Sequence, residues 1–221
     1  MEELACPSCG ESNPADARLC GSCRTPLVDE SADERGKLVT VVTSDLKGST
    51  ALGERLDPES LREVLNRYFG VMRTIFESHG GMIEKIIGDA IVAVFGLPFR
   101  RDDDPIRAVE AAAESRLALA TLNDELEQVW GVRLVNRTGI ATGVVYFGRD
   151  AEGQHVLIGQ PMDESTAMEQ NAPPLEVLMA ASVHREVADL VESEAAGPKS
   201  AKGSDVEIQS FQLINVRDRD S

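Results

Sequence analysis

Between Lys37 and Gly96 the chain twice runs an apolar, β-branched stretch into an aspartate within three residues of a glycine. The first is Val39-Thr40-Val41-Val42-Thr43-Ser44-Asp45-Leu46-Lys47-Gly48-Ser49-Thr50. It reads as a strand ending in a carboxylate, followed by a glycine turn that opens a helix. The second, from Gly81 to Gly96, reads as two strands folded about Gly88-Asp89. Aspartates at strand ends, next to residues that let a ligand approach the backbone, suit a divalent cation carrying a phosphate. Mg²⁺ takes hard oxygen ligands, keeps some waters and binds one or two carboxylates plus phosphate oxygens. Either stretch alone is explained as well by an ordinary turn, because Gly-Asp pairs are common there.

The remaining chemistry must fit a chain of 221 residues, enough for one full domain and a small appendage. Hydrophobic residues make up 42% and aromatic ones 4%, so the core is expected to be aliphatic and alanine-rich. The formal net charge of −16 argues against non-specific nucleic-acid binding, which relies on Lys and Arg to neutralise phosphates. A nucleotide site remains compatible with it, since a bound cation and a few lysines can reverse the local field. Met1-Glu2-Glu3 is neither basic nor apolar, and no apolar run reaches membrane-spanning length. A soluble, cytoplasmic protein without a membrane partner is expected.

All four cysteines fall in the first 23 residues, as Cys6, Cys9, Cys20 and Cys23 in a C-x2-C-x10-C-x2-C pattern. Two knuckles of this spacing fit the tetrahedral thiolate site of a structural Zn²⁺. Two disulfides are the alternative, disfavoured where no secretion signal is seen. The expected division is a zinc ribbon over 1–28, a charged linker over 29–36 and the main domain over 37–216. The ribbon is too small to bury a core and needs its metal to fold.

Asp57-Pro58 marks a helix start. Leu61, Val64, Leu65, Tyr68, Phe69, Met72, Ile75 and Phe76 follow at helical spacing, and Gly80-Gly81 ends the helix. Asp102-Asp103-Asp104-Pro105 opens a second helix to about Val129; its carboxylates read most simply as partners of the helix N-terminus, not as a metal site. A strand is expected over 132–142, with Gly143 and Gly148 punctuating a hairpin. Gln160-Pro161 leads into a helix, Val177–Ala180 is a strand, 182–190 a helix and 206–216 a final strand. The pattern predicts an α+β fold, a mostly antiparallel sheet with helices packed on it.

Ser44-Asp45-Leu46-Lys47-Gly48-Ser49-Thr50 resembles the opening motif of the class III purine nucleotide cyclases, and Glu84-Lys85-Ile86-Ile87-Gly88-Asp89 their second metal-binding hairpin. Gly139-Ile140-Ala141-Thr142-Gly143 resembles the family's central strand. The resemblance covers roughly residues 37–214. It implies a ferredoxin-like core, a head-to-tail dimer, ATP or GTP as substrate, and Mg²⁺ or Mn²⁺ as cofactor. It assigns Asp45 and Asp89 to the metal, with the Leu46 carbonyl as a further ligand. Gly48, Ser49 and Thr50 would lie near the phosphates. Lys85 would recognise the base; residue type alone favours a solvated lysine, and its spacing of four from Asp89 reverses that preference. Lys202 resembles a phosphate-binding lysine, with a solvated loop lysine as the equal alternative. The four cysteines resemble the short zinc ribbons found at the front of bacterial regulatory proteins.

The second half of the motif set departs from the family. After Ile158-Gly159 the family continues with Val-Asn and then Ala-Ala-Arg, where this chain reads Gln160-Pro161-Met162-Asp163-Glu164-Ser165-Thr166-Ala167. Asp163 therefore stands at the transition-state Asn position and Ala167 at the Arg position. The adenine-selecting position falls on Val156, which offers only its backbone. Weak or partner-dependent activity is expected, in a homodimer or in a heterodimer whose other chain supplies the missing Asn and Arg. The alternative is a catalytically dead module that binds nucleotide and metal.

Overall fold

The computed structural model describes residues 3–6, 9–14, 20–23, 36–149, 155–201 and 206–217. The chain divides into two compact units, one of Met1–Gly36 with Tyr146–Leu157 and one of Lys37–Val145 with Ile158–Ser221. The expected linker, apart from Gly36, and Lys202 lie outside the described residues.

In the first unit, β1 (Glu3–Ala5) pairs antiparallel with β2 (Ser12–Pro14). The second unit carries β3 (Lys37–Leu46), α1 (Ser49–Arg55), α2 (Pro58–Ser78), β4 (Met82–Ile87), β5 (Ala90–Phe95) and α3 (Asp104–Trp130). β6 (Asn136–Arg149) begins in this unit and continues into the first, which also holds β7 (His155–Ile158) up to Leu157; α4 (Gln160–Asn171), β8 (Val177–Ala180), α5 (Ala181–Val187), β9 (Val191–Lys199) and β10 (Ile208–Val216) complete the second. The strands lie in the order β4-β5-β3-β6-β8-β10-β9, and β7 pairs with β6. β6 and β8 run parallel; β3–β5, β3–β6, β4–β5, β8–β10 and β9–β10 run antiparallel. The mostly antiparallel α+β sheet is thus as the pattern predicted.

Successive strand residues face opposite sides, and here that alternation sorts two cores. Ile140 and Met179 join Val64, Tyr68, Met72 and Phe76 of α2 and Leu119 and Leu126 of α3 on one face. Their neighbours Ala141, Leu178 and Ala180 join Ala167, Met168 and Ala172 of α4 on the other. Among the described residues α4 therefore lies alone opposite α2, α3 and α5. It sits against β6 at Gly139, where a Cβ would come within 2.0 Å of the Ser165 carbonyl oxygen and 2.2 Å of the Glu169 nitrogen. Among the described residues no helix is long and apolar enough to cross a membrane.

Asp57 caps α2 as predicted, its carboxylate accepting the N–H groups of Glu59 and Ser60 at 3.1 Å each. Four expectations need correction. The strand after α3 begins at Asn136 rather than Val132 and runs through to Arg149. Gly143 does not turn the chain: its missing side chain makes room for Pro161, whose Cδ is 3.1 Å from the ideal Cβ position. The helix expected over 182–190 ends at Val187, and a strand unforeseen in the sequence, β9, follows at Val191. Asp104 does more than meet the helix N-terminus. Its buried carboxylate accepts the Arg101 N–H at 2.7 Å and pairs with Arg107, which also donates to the His79 carbonyl at the end of α2.

Candidate functional site

Asp45 ends up where β3 leaves the sheet because the register beneath it is pinned. Asn136 Nδ2 and Thr138 Oγ1 donate to Ser44 Oγ at 3.2 and 3.1 Å, and Ser44 Oγ lies 3.4 Å from the hydroxyl of buried Tyr68. A serine hydroxyl accepts two bonds and donates one, so this buried set satisfies it. A one-residue slip would bury Asp45 and expose Ser44.

Across the sheet Asp45 pairs with Ala90, the first residue after the Gly88-Asp89 turn. Gly88 takes φ +61°, a conformation that suits glycine, and the turn returns Asp89 toward Asp45. Burial first, then the charge of Asp89, pushes the Asp45 carboxyl above its ordinary range, against the pull of Arg137. Two converging carboxylates, one of them destabilised as an anion, form a donor set that fits Mg²⁺ or Mn²⁺.

Two residues that sequence reasoning missed complete the cluster. Arg137 stands directly opposite Asp45 in the β3–β6 register. Its Nη2 donates to Asp45 Oδ2 at 3.3 Å and lies 2.7 Å from Glu169 Oε1 of α4. The Glu169 contact is electrostatic, because Oε1 accepts no aligned hydrogen bond and Arg137 Nε is likewise unpartnered. The available signal was a charge in each of two segments that the core otherwise claims: Arg137 within a strand, and Glu169 after Ala167-Met168.

Burial, followed by the charges of Asp45 and Asp89, pushes the Glu169 carboxyl up to about 7 against the attraction of Arg137. Its folded value exceeds the unfolded one, so the folded chain holds this proton more tightly. The resulting stability is complete below about pH 4.5 and is lost as pH rises through about 7. Glu169→Gln removes that contribution, and its melting temperature should fall less than that of the unaltered chain between pH 5 and 8. Parallel curves would show that Glu169 does not titrate there.

The remaining predicted residues fall as follows. Leu46 is buried beside Asp45, Gly48 caps α1 from the preceding turn, and Ser49 and Thr50 are the first two residues of α1. A cleft of about 100 Å³ beside that turn is lined by Lys47, Gly48, Ser49, Arg55, Arg133 and Val135, among others. Lys85 lies on β4 with Nζ 3.2 Å from Glu84 Oε2. Asp163 is exposed in the first turn of α4, whereas Ala167, one turn on, is wholly buried among Ala141, Met168, Leu178 and Ala180. Val156 is half-buried on β7, in the first unit.

In the first unit the four cysteine sulfurs lie within 4.8 Å of one another, with Cys6–Cys23 and Cys9–Cys20 each 3.5 Å apart. Zn–S bonds of about 2.3 Å in a tetrahedron separate sulfurs by about 3.8 Å. The cluster therefore fits a zinc ion, and the cysteines are free rather than disulfide-bonded. Buried Asn13 braces it, accepting the Gly21 N–H at 2.9 Å and reaching Cys20 Sγ at 3.8 Å.

Asp45 thus ends a central strand and Asp89 stands at the neighbouring hairpin, on a mostly antiparallel α+β sheet. The family of the adenylate and guanylate cyclase catalytic domain matches residues 32–215, and the chain belongs to that family. Among solved structures it is similar to the adenylyl cyclase CyaB of P. aeruginosa, with a TM-score of 0.78 and 28% identity, covering 85% of this chain and 98% of that one. It is also similar to the guanylyl cyclase Cya2, with a TM-score of 0.77 and 28% identity over 85% of this chain and 96% of that one. An adenylate cyclase of Anabaena cylindrica is 31% identical over 106 residues, 48% of this chain and 20% of the relative. An uncharacterised protein of Mycobacterium tuberculosis is 30% identical over 133 residues, 58% of this chain and 23% of the relative. The chain spans about a quarter of the length of such curated relatives.

Proposed function

We propose that this domain binds a purine nucleoside triphosphate with a divalent cation and, acting alone, converts it slowly to cyclic nucleotide and pyrophosphate. The observation that carries this reading is the β3–β5 register, which sets Asp45 opposite Ala90 and so beside the Gly88-Asp89 turn, with the charge of Asp89 felt at Asp45. In the reaction the ribose 3′-oxygen attacks the α-phosphorus, the bond to the β-phosphate oxygen breaks, pyrophosphate leaves and the 3′-hydroxyl proton is lost. A bound Mg²⁺ or Mn²⁺ supplies charge neutralisation on the phosphates and eases ionisation of the 3′-hydroxyl. Asp45, Asp89 and the Leu46 carbonyl hold the cation, the Gly48-Ser49-Thr50 turn lies along the phosphates, and Lys85 meets the base. Lys202 is proposed to approach the phosphates as well.

The cleft beside the turn, at about 100 Å³, is small against the roughly 300–1,000 Å³ of ordinary ligand pockets. This supports a site completed by a second chain, either a copy of this one or another cyclase domain. A copy brings Asp163 and Ala167 to the Asn and Arg positions, so transition-state stabilisation is poor in both sites of a homodimer. The second reading, a silent nucleotide-binding module, is favoured by the complete burial of Ala167.

Nucleotide binding and turnover with Mn²⁺ test the reading. The unaltered chain should bind ATP or GTP in a cation-dependent way and release traces of cyclic product. Asp45→Ala should lose the cation dependence, with affinity falling about tenfold or more. Product that forms only when this chain is mixed with a cyclase lacking its own metal aspartates would identify a heterodimer. Cation-independent binding, or none, overturns the reading.

A further inference from the structure

Arg137 poses a difficulty for any cation at Asp45. The β3–β6 register places the two residues directly opposite each other, and cross-strand neighbours have Cβ atoms only about 4.5–5.5 Å apart. Left to itself, an arginine so placed closes on the carboxylate as a two-pronged ion pair and occupies the position a cation needs. Here it does not. Its Nη2 is nearer Glu169, at 2.7 Å, than Asp45, at 3.3 Å, and Nη1 donates to the Gln170 carbonyl at 3.1 Å. Both of these other partners belong to α4.

We infer that Glu169 is a positioning residue that draws Arg137 aside, so that a divalent cation and the arginine can occupy the site together. This inference rests on the cation reading of Asp45 and Asp89. Three observations carry it. The Glu169 side chain is 6% exposed, so its charge acts across a medium of low polarity. It cannot drift, because α4 is seated backbone against backbone on Gly139, with the Glu169 nitrogen itself at the contact. Third, the charges balance for the task. With all three ionised, as at the pH 8 of the test below, Asp45, Asp89 and Glu169 carry three negative charges and Arg137 one positive, which leaves two negative charges for one divalent cation. Without Glu169 the balance is one negative charge, and the arginine has Asp45 as its remaining carboxylate partner.

A purely structural ion pair would share these distances, and a mutant cycle separates the two roles. The whole 221-residue chain, loaded with zinc, is titrated with Mn²⁺ at pH 8 and free Mn²⁺ is followed by its electron paramagnetic resonance signal; thiolates favour softer ions and leave the ribbon out of the titration. Glu169→Gln should weaken Mn²⁺ binding about 10- to 100-fold, as loss of an outer partner does. Adding Arg137→Leu removes the competitor, and the double variant should return to within about twofold of the unaltered chain, the scatter of independent sites. Arg137→Leu alone should bind at least as tightly as the unaltered chain.

Unchanged affinity in Glu169→Gln overturns the inference, as does a double variant that binds no better than Glu169→Gln. Should Glu169→Gln fail to fold by circular dichroism, Arg137→Leu decides alone, and weaker binding there overturns the inference. Mn²⁺ binding indifferent to Asp45→Asn would instead sink the cation reading and take this inference with it.

Discussion

Asp163→Asn should raise the turnover of this chain with Mn²⁺ and ATP or GTP by about 10²- to 10³-fold, the usual worth of one preorganised transition-state donor. Asp163 is exposed in the first turn of α4, so asparagine fits its place without repacking. The change replaces an acceptor by a donor and removes a negative charge that, in the proposed dimer, would oppose the phosphates. The cost is the attraction of a carboxylate to the helix N-terminus, about 0.3–1 kcal/mol. Adding Ala167→Arg supplies the larger missing part, since a phosphoryl-stabilising arginine contributes about 10³ to 10⁵. Ala167 is wholly buried among Ala141, Met168, Leu178 and Ala180, so beyond overpacking, which costs about 1–3 kcal/mol, the guanidinium must swing out of the core or lose several kcal/mol to desolvation. The double variant should therefore turn over faster yet and melt lower. Unchanged turnover in a variant that folds and dimerises would show that the defect lies elsewhere, or that no cyclase chemistry takes place here.

Most of the sheet was legible because its signals are local. β3, β4 and β5 declare themselves by β-branched runs ended by glycine and aspartate, and α2 by its Asp57-Pro58 cap and apolar stripe. The aspartates could be read as a pair only through the likeness of both motifs to one family. What escaped depends on distant contacts. Gly143 looks like a turn residue in sequence, and only Pro161 of α4 reveals it as a site of close approach within a continuous strand. β9 carries Gly197 and Pro198 and an acidic, half-exposed surface, so no apolar alternation announces it. Arg137 and Glu169 are 32 positions apart and meet only because α4 crosses β6; neither lies in a segment whose pattern marks a site. Asp104 was read through the helix end it adjoins, when its carboxylate serves Arg107 and the Arg101 amide.

Gly139→Ala should destabilise the domain by more than about 4 kcal/mol, a loss reserved for a few severe mechanisms. The added Cβ would stand 2.0 Å from the Ser165 oxygen and 2.2 Å from the Glu169 nitrogen. Both are helix backbone atoms, so no side chain can rotate away, and α4 as a whole must lift from β6. At about 2–4 °C per kcal/mol for a chain of this size, the melting temperature should fall by roughly 8–16 °C. Gly143→Ala is the internal control. There the nearest atom is Pro161 Cδ at 3.1 Å, the edge of one ring in the first turn of α4, and a shift of a few tenths of an ångström relieves it. Its expected cost is about 1 kcal/mol, near the centre of point-mutant effects. The consequence reaches past stability, because a lifted α4 takes Glu169 away from Arg137 and moves Asp163 as well. If Gly139→Ala folds at all, its Mn²⁺ binding should weaken in the same direction as that of Glu169→Gln. A variant that melts within about 2 °C of the unaltered chain, under 1 kcal/mol by the same scale, would mean that α4 does not rest on Gly139. The placement of Glu169 beside Arg137 would then have no support.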